Sequence, residues 1–134
     1  MFQKALVPVD GSQYMDGLVA YAIGFAKKIG CSLTFVYVVN MPPTSAPSDI
    51  EKQKVASAKI SEGCRKKAAD EDVSASSRIE VGSPTEAVIN MVEREKFDLI
   101  IIASRGYSRL RRLIVGSVAD QVMRLAPCPV LVFR

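Results

Sequence analysis

This chain of 134 residues contains no histidine. Histidine is the usual general base at neutral pH and the commonest metal ligand, so its absence counts against catalytic triads and zinc hydrolases. Cysteine is scarce. Cys31, Cys64 and Cys128 are odd in number, widely spaced and without a CxxC pair, which argues against a disulfide framework or a zinc site. Aromatic residues make up 7% of the chain and are not interleaved with basic ones, so a base-stacking platform for nucleic acid is poorly supported. No apolar run approaches the roughly 20 residues that span a bilayer. Met1-Phe2-Gln3-Lys4 leads straight into a strand-like run with no signal-peptide layout. The expectation is a cytoplasmic protein with neither a membrane nor a nucleic-acid partner.

The hydrophobic share of 49% and charged share of 24% are ordinary for a globular protein, and the length suits one domain over residues 1–134. Net charge is +4. The basic residues fall into two groups. Lys52, Lys54, Lys59, Arg65, Lys66 and Lys67 alternate with Glu51, Glu62, Asp70 and Glu71, as on a solvated helix face. The second group, Arg105, Arg109, Arg111 and Arg112, sits in a loop bracketed by Gly106 and Gly116.

Residues 3–9 read as a strand ending at Asp10-Gly11-Ser12. Tyr14, Leu18, Tyr21, Ala22, Phe25, Ala26 and Ile29 then recur at helical spacing, with Gly30 as a C-cap. Ser32–Val39 is a second strand, and Pro42, Pro43 and Pro47 mark an irregular loop. Residues 49–72 have helical propensity with a thin stripe of Ile50, Val55, Ala58, Cys64 and Ala68. Ser77–Val81 is a third strand. Ser83-Pro84-Thr85-Glu86 reads as a helix start with a capping box, and Ala87, Val88, Met91 and Val92 as that helix's buried face. Leu99–Ala103, a helix over about 118–125 and Val130–Phe133 complete the series. Strands alternating with helices imply right-handed crossovers. The fold class is α/β: a single doubly wound, Rossmann-like, five-stranded parallel sheet with helices on both faces.

Ligands of such sheets bind beyond the carboxyl ends of the strands, where the strand order reverses. With the first and fourth strands adjacent, Asp10, Val39 and the Ala103–Gly106 turn converge there. A strand, a glycine loop and a helix start with Ser117 at its N-cap form a physical recipe for an anion site, because helix N-termini present unpaired N–H groups and positive potential. Each residue also has an ordinary reading: Asp10 as turn chemistry capping the first helix, Val39 as core, the arginine loop as solvated surface. Convergence of the three carries the case.

Pro8-Val9-Asp10-Gly11-Ser12, then Gly106, nine residues and Gly116-Ser117, and finally Ala126-Pro127-Cys128-Pro129-Val130-Leu131-Val132, resemble the universal stress protein family over the whole chain. The resemblance implies binding of ATP or a related adenine nucleotide (AMP or ADP), with or without Mg²⁺. Pro8, Val9 and Val39 would border the adenine, with backbone groups of Val39 reading its edge, and Asp10 would lie near adenine and ribose. The turn Ala103–Gly106, with Ile102 and Arg105, would approach ribose and phosphates. Gly116, Ser117 and Val118 would hold phosphate oxygens. The resemblance also implies a homodimer through Val130–Phe133, acting in a nucleotide-linked stress response. One position departs from the family's G-x-x-G, nine residues, G-[S/T] pattern: its first glycine is Ala103 here. That substitution supports the alternative of a dimeric stress or interaction module that binds no nucleotide. An enzyme of the related adenine-nucleotide-dependent class would need a His-x-Gly-His or Ser-Gly-Gly-x-Asp-Ser loop, which is absent, and no base for more than slow ATP hydrolysis is visible.

Overall fold

Apolar runs and helical stripes alternate along the chain, and a computed structural model, which describes residues 1–42, 44–104 and 116–134, shows what they build. The described residues form β1 (Lys4–Val9), α1 (Met15–Ile29), β2 (Ser32–Val39), α2 (Pro47–Asp70), β3 (Ala75–Val81), α3 (Pro84–Glu95), β4 (Leu99–Ala103), α4 (Ser117–Leu125) and β5 (Val130–Phe133). The sheet order is β3-β2-β1-β4-β5, with every pairing parallel. The chain steps outward from β1 to β3, then returns to lay β4 against the other side of β1. The order therefore reverses between β1 and β4.

Alternation along each strand divides the core in two. Ala5, Val7, Val9, Leu99, Ile101 and Ala103 face α1 and α2. Leu6, Val36, Ile100 and Ile102 face α3 and α4, against Val88, Met91, Val92, Ala119 and Val122. β4 is buried at all five positions, as a strand covered on both faces should be. Each large side chain lost wholly to this core, such as Phe35 or Ile100, contributes about 1.5–3 kcal/mol of burial.

Local signals hold in places and yield to packing elsewhere. Gly30 ends α1 at φ 79°, its N–H donating to the Ala26 carbonyl, as a C-cap should. In α1, Met15, Val19 and Ile23 are buried while Tyr21 and Ile29 of the expected stripe are exposed. α2 departs further. Its buried residues are Ser57, Ser61, Cys64 and Ala68, whereas Val55 is 57% exposed. Small side chains bring this helix close to the sheet, and Ser61 satisfies its hydroxyl on the Ala58 carbonyl at 3.3 Å. At α3, Ser83 makes no side-chain cap bond and Glu86 is exposed, so the capping box does not form. Pro84 presets the first turn, and the Ser83 carbonyl takes the Ala87 N–H at 2.9 Å.

Candidate functional site

The tips of β1, β2 and β4 and the start of α4 meet at the point of reversal. Beyond β1, Gly11 takes φ 73°, in the left-handed region that favours glycine. The turn it makes is closed by the Asp10 carboxylate, whose Oδ1 accepts the Ser12 N–H at 2.9 Å. Asp10 thus performs the turn role. It does not cap α1, whose N-cap is Tyr14 without a side-chain cap bond.

At the tip of β4, the Ser104 N–H donates to the Phe133 carbonyl at 2.8 Å, and the Ser104 carbonyl accepts the Gly116 N–H at 2.6 Å. The strand end is thereby tied directly to the beginning of α4. Gly116, not Ser117, is the N-cap, at φ −60° and ψ 153°, and Ser117 is the first helical residue. Extended backbone at the N-cap lets the Gly116 carbonyl accept the Asp120 N–H at 2.9 Å. The N–H groups of Ser117, Val118 and Ala119 belong to the first turn, which has no intrahelical acceptors, at the positive end of the helix dipole.

These pieces enclose a cavity of about 620 Å³, within the range of small-molecule sites. Much of the lining is apolar, with Pro8, Val9, Val38, Val39, Ile102, Pro84 and Val88, and Asn40 and Gln53 add polar groups to it. Gly116, Ser117, Val118 and Ala119 at the start of α4 also line it, as do Ala103 and Ser104 at the tip of β4. Asp10 is the acidic residue among those lining it. Of the residues singled out in the sequence, Pro8, Val9, Asp10, Val39, Ile102, Ala103, Gly116, Ser117 and Val118 all line this one cavity. Arg105 and Gly106 lie outside the described residues. Among the described residues no cluster of three or more His, Cys, Asp or Glu could hold a metal ion, and no helix is long and apolar enough to cross a membrane.

The structure corrects one detail. The Val39 carbonyl already accepts the N–H groups of Met41 and Gly82, each at 2.9 Å, so it is committed to the turn and to β3. Alternation along a parallel strand turns the peptide groups of Val38 the other way, toward β1, whose pairing stops at Val9 opposite Tyr37. The Val9–Tyr37 pairing uses the Val38 N–H, which leaves the Val38 carbonyl to face the cavity. Sequence reading also missed Tyr37, Asn40, Met41 and Gln53 at the β2 end and Pro84 and Val88 on α3. The pair 84 and 88 does share a helix face, but nothing local says which strand tip that face overhangs.

Ala103 sits in a strand conformation and is not among the residues with positive φ. Its methyl group belongs to the α1-side core with Val9, Met15 and Leu18. The cysteines stand apart from the site. Burial pushes the thiols of Cys31, Cys64 and Cys128 up, which keeps them protonated and poorly nucleophilic.

Comparison with known proteins agrees with this architecture. The chain is 30% identical over 148 residues to the universal stress protein YxiE of Bacillus subtilis, covering 100% of both chains. The structure of the universal stress protein UspA from Lactobacillus plantarum gives a TM-score of 0.83 at 25% identity, covering 99% of this chain and 98% of that one. A universal stress protein from Archaeoglobus fulgidus in complex with dAMP gives a TM-score of 0.74 at 18% identity, covering 99% and 98%, a likeness of fold. The family match itself runs over residues 1–134, the same span as the parallel sheet and its crossovers, and on that ground the chain belongs to the universal stress protein family.

Proposed function

We propose that the cavity binds an adenine nucleotide, ATP or a related AMP or ADP, and that the chain acts as a nucleotide-linked stress-response homodimer in the cytoplasm. The observation that carries this reading is the joining of two chemistries in one cavity: a largely apolar wall and the first turn of α4. A flat, apolar base fits the first, and phosphate oxygens fit the N–H groups of the second. The Val38 carbonyl would read the base edge, and Asp10 would meet the ribose with the carboxylate oxygen not committed to its turn. The dAMP complex of the Archaeoglobus relative supports a nucleotide of this kind.

The feature that favoured a module without nucleotide was Ala103, and its placement weighs toward the nucleotide reading. With the methyl packed in the core and φ negative, an alanine there obstructs no more than any strand residue does. The homodimer is supported by β5, a short edge strand of Val, Leu, Val and Phe.

Calorimetric titration of nucleotide-stripped protein with ATP, with and without Mg²⁺, tests the proposal. A Ser117→Asp variant places a negative charge in the first turn, which suits the helix dipole and so preserves folding while repelling phosphate. The expected result is ATP binding that weakens more than about tenfold in the variant, with adenosine binding unchanged. Wild-type protein that binds no adenine nucleotide would defeat the reading.

A further inference from the structure

One contact outside the cavity wall bears on how that cavity keeps its shape. Thr85, in the first turn of α3 and only 7% exposed, donates its hydroxyl hydrogen to Oε1 of Gln121 on α4 at 2.8 Å. The two residues are 36 positions apart in sequence, and each belongs to a helix that lines the cavity. Pro84 and Val88 flank Thr85 on α3, while Gly116–Ala119 precede Gln121 on α4.

The two helices are not held equally. α3 has twelve residues and buries Val88, Met91 and Val92 in addition to Thr85. α4 has nine and buries Ala119 and Val122. Its N-cap is tied to β4 by the Gly116–Ser104 hydrogen bond, and Ala119 and Val122 seat one face against the core. The hydrogen bond from α3 to the second turn adds a lateral tether that resists tilting of so short a helix. Because backbone N–H groups run along the helix axis, that tilt sets where the three N–H groups of the first turn point.

We infer that Thr85, acting through Gln121, is a positioning residue that aims the first turn of α4 at the phosphates of the bound nucleotide. This rests on the nucleotide reading given above. Because α3 keeps its own core contacts, loss of the bond displaces α4 and leaves the base slot in place. The consequence is selective: affinity for the phosphate-bearing ligand falls and affinity for the nucleoside does not.

The test is titration of wild type, Thr85→Val, Thr85→Ser and Gln121→Leu with ATP and, separately, with adenosine. Thr85→Val and Gln121→Leu are expected to weaken ATP binding about three- to tenfold, the worth of one neutral hydrogen bond, with adenosine unaffected. Thr85→Ser, which keeps the hydroxyl, is expected to bind ATP as the wild type does. Gln121 is exposed, so its replacement tests the strap even if the change at the buried Thr85 impairs folding. Equal losses for ATP and adenosine, or no loss in the variants, would overturn the inference while leaving the nucleotide reading intact. Wild type that bound adenosine as tightly as ATP would remove the phosphate cradle and this inference with it, and wild type that bound neither would overturn both readings.

Discussion

The sheet has two edges, and they are built in opposite ways. On β3, Arg78 is paired to Glu95 at 2.7 Å, Glu80 to Arg94 at 3.3 Å, and Ser77 bonds Glu62 at 2.7 Å. Charged side chains clasp that strand to helices on both of its faces. β5 carries no charge at all: Val130, Leu131, Val132 and Phe133 are each half-buried, and the Phe133 ring lies 5.4 Å from that of Tyr21 on α1. Charge along an edge deters pairing with another strand, and an apolar edge invites it. The same sheet therefore has one edge clasped by charge and one that is wholly apolar.

The largest expected effect comes from blocking the apolar edge. Ile100 donates its N–H to the Pro129 carbonyl and Ser104 donates to that of Phe133, so the odd-numbered residues of β5 face β4 and Val132 points its peptide groups outward. Val132→Pro removes an outward N–H and spares the ladder to β4. In a symmetric pair of chains two such donors go at once, and self-association should weaken on the order of a hundredfold, seen as a shift to monomer in analytical ultracentrifugation. Ile79→Pro is the mirror change on β3, where the even-numbered residues face β2. It should leave the oligomeric state as it was. If both variants dissociated equally, or neither did, the contrast between the edges would have no bearing on assembly.

Truncating Phe133→Ala should come next. Its ring also sits 3.2 Å from where a Cβ on Gly17 would be, so it fills the space that glycine leaves on α1. The loss should be about 1–2 kcal/mol in denaturant unfolding, below the about 2–5 kcal/mol expected for Ile101→Ala in the middle of the sheet. Equal costs would mean that the edge is as tightly packed as the centre.

The smallest effect belongs to the charged edge and depends on pH. Hydrogen bonds to the Glu62 carboxylate, first from Arg65 and then from Ser77, hold its pKa down from 4.5 to about 2. A depressed carboxylate stabilises the fold above its unfolded value and loses that contribution as pH falls from 4.5 toward 2. Glu62→Gln should therefore be less stable than wild type near neutrality, with the gap closing on acidification. Since β5 has no titratable side chain, association through it should not change over the same range. A gap that stayed constant with pH would show that the clasp contributes nothing through its charge.

Much of the candidate site is legible in the sequence. The short β-branched run Leu99–Ala103, the glycine at 116 and the turn signal Asp10-Gly11-Ser12 each declare a local conformation, and nine of the eleven residues named from sequence line one cavity. The errors share a form. The sequence points to Val39 and not to Val38 because nothing in the string shows which strand each peptide group faces, and the parity follows from where Gly82 meets the strand. The aliphatic residues of α2 suggest one stripe, but Ser57 and Ser61 are buried because that helix lies close to the sheet.

The sequence by itself determined the alternation of strands and helices, the family, and the residue types gathered at the strand tips. These follow from periodicity and from what glycine, proline and aspartate do to their own backbone. Only the tertiary structure decided which edge is armoured, which valine turns its carbonyl to the cavity, and that Thr85 reaches Gln121. Each of those is a relation of register or distance between segments far apart in the chain, set by how the elements pack and recorded in no single stretch of residues.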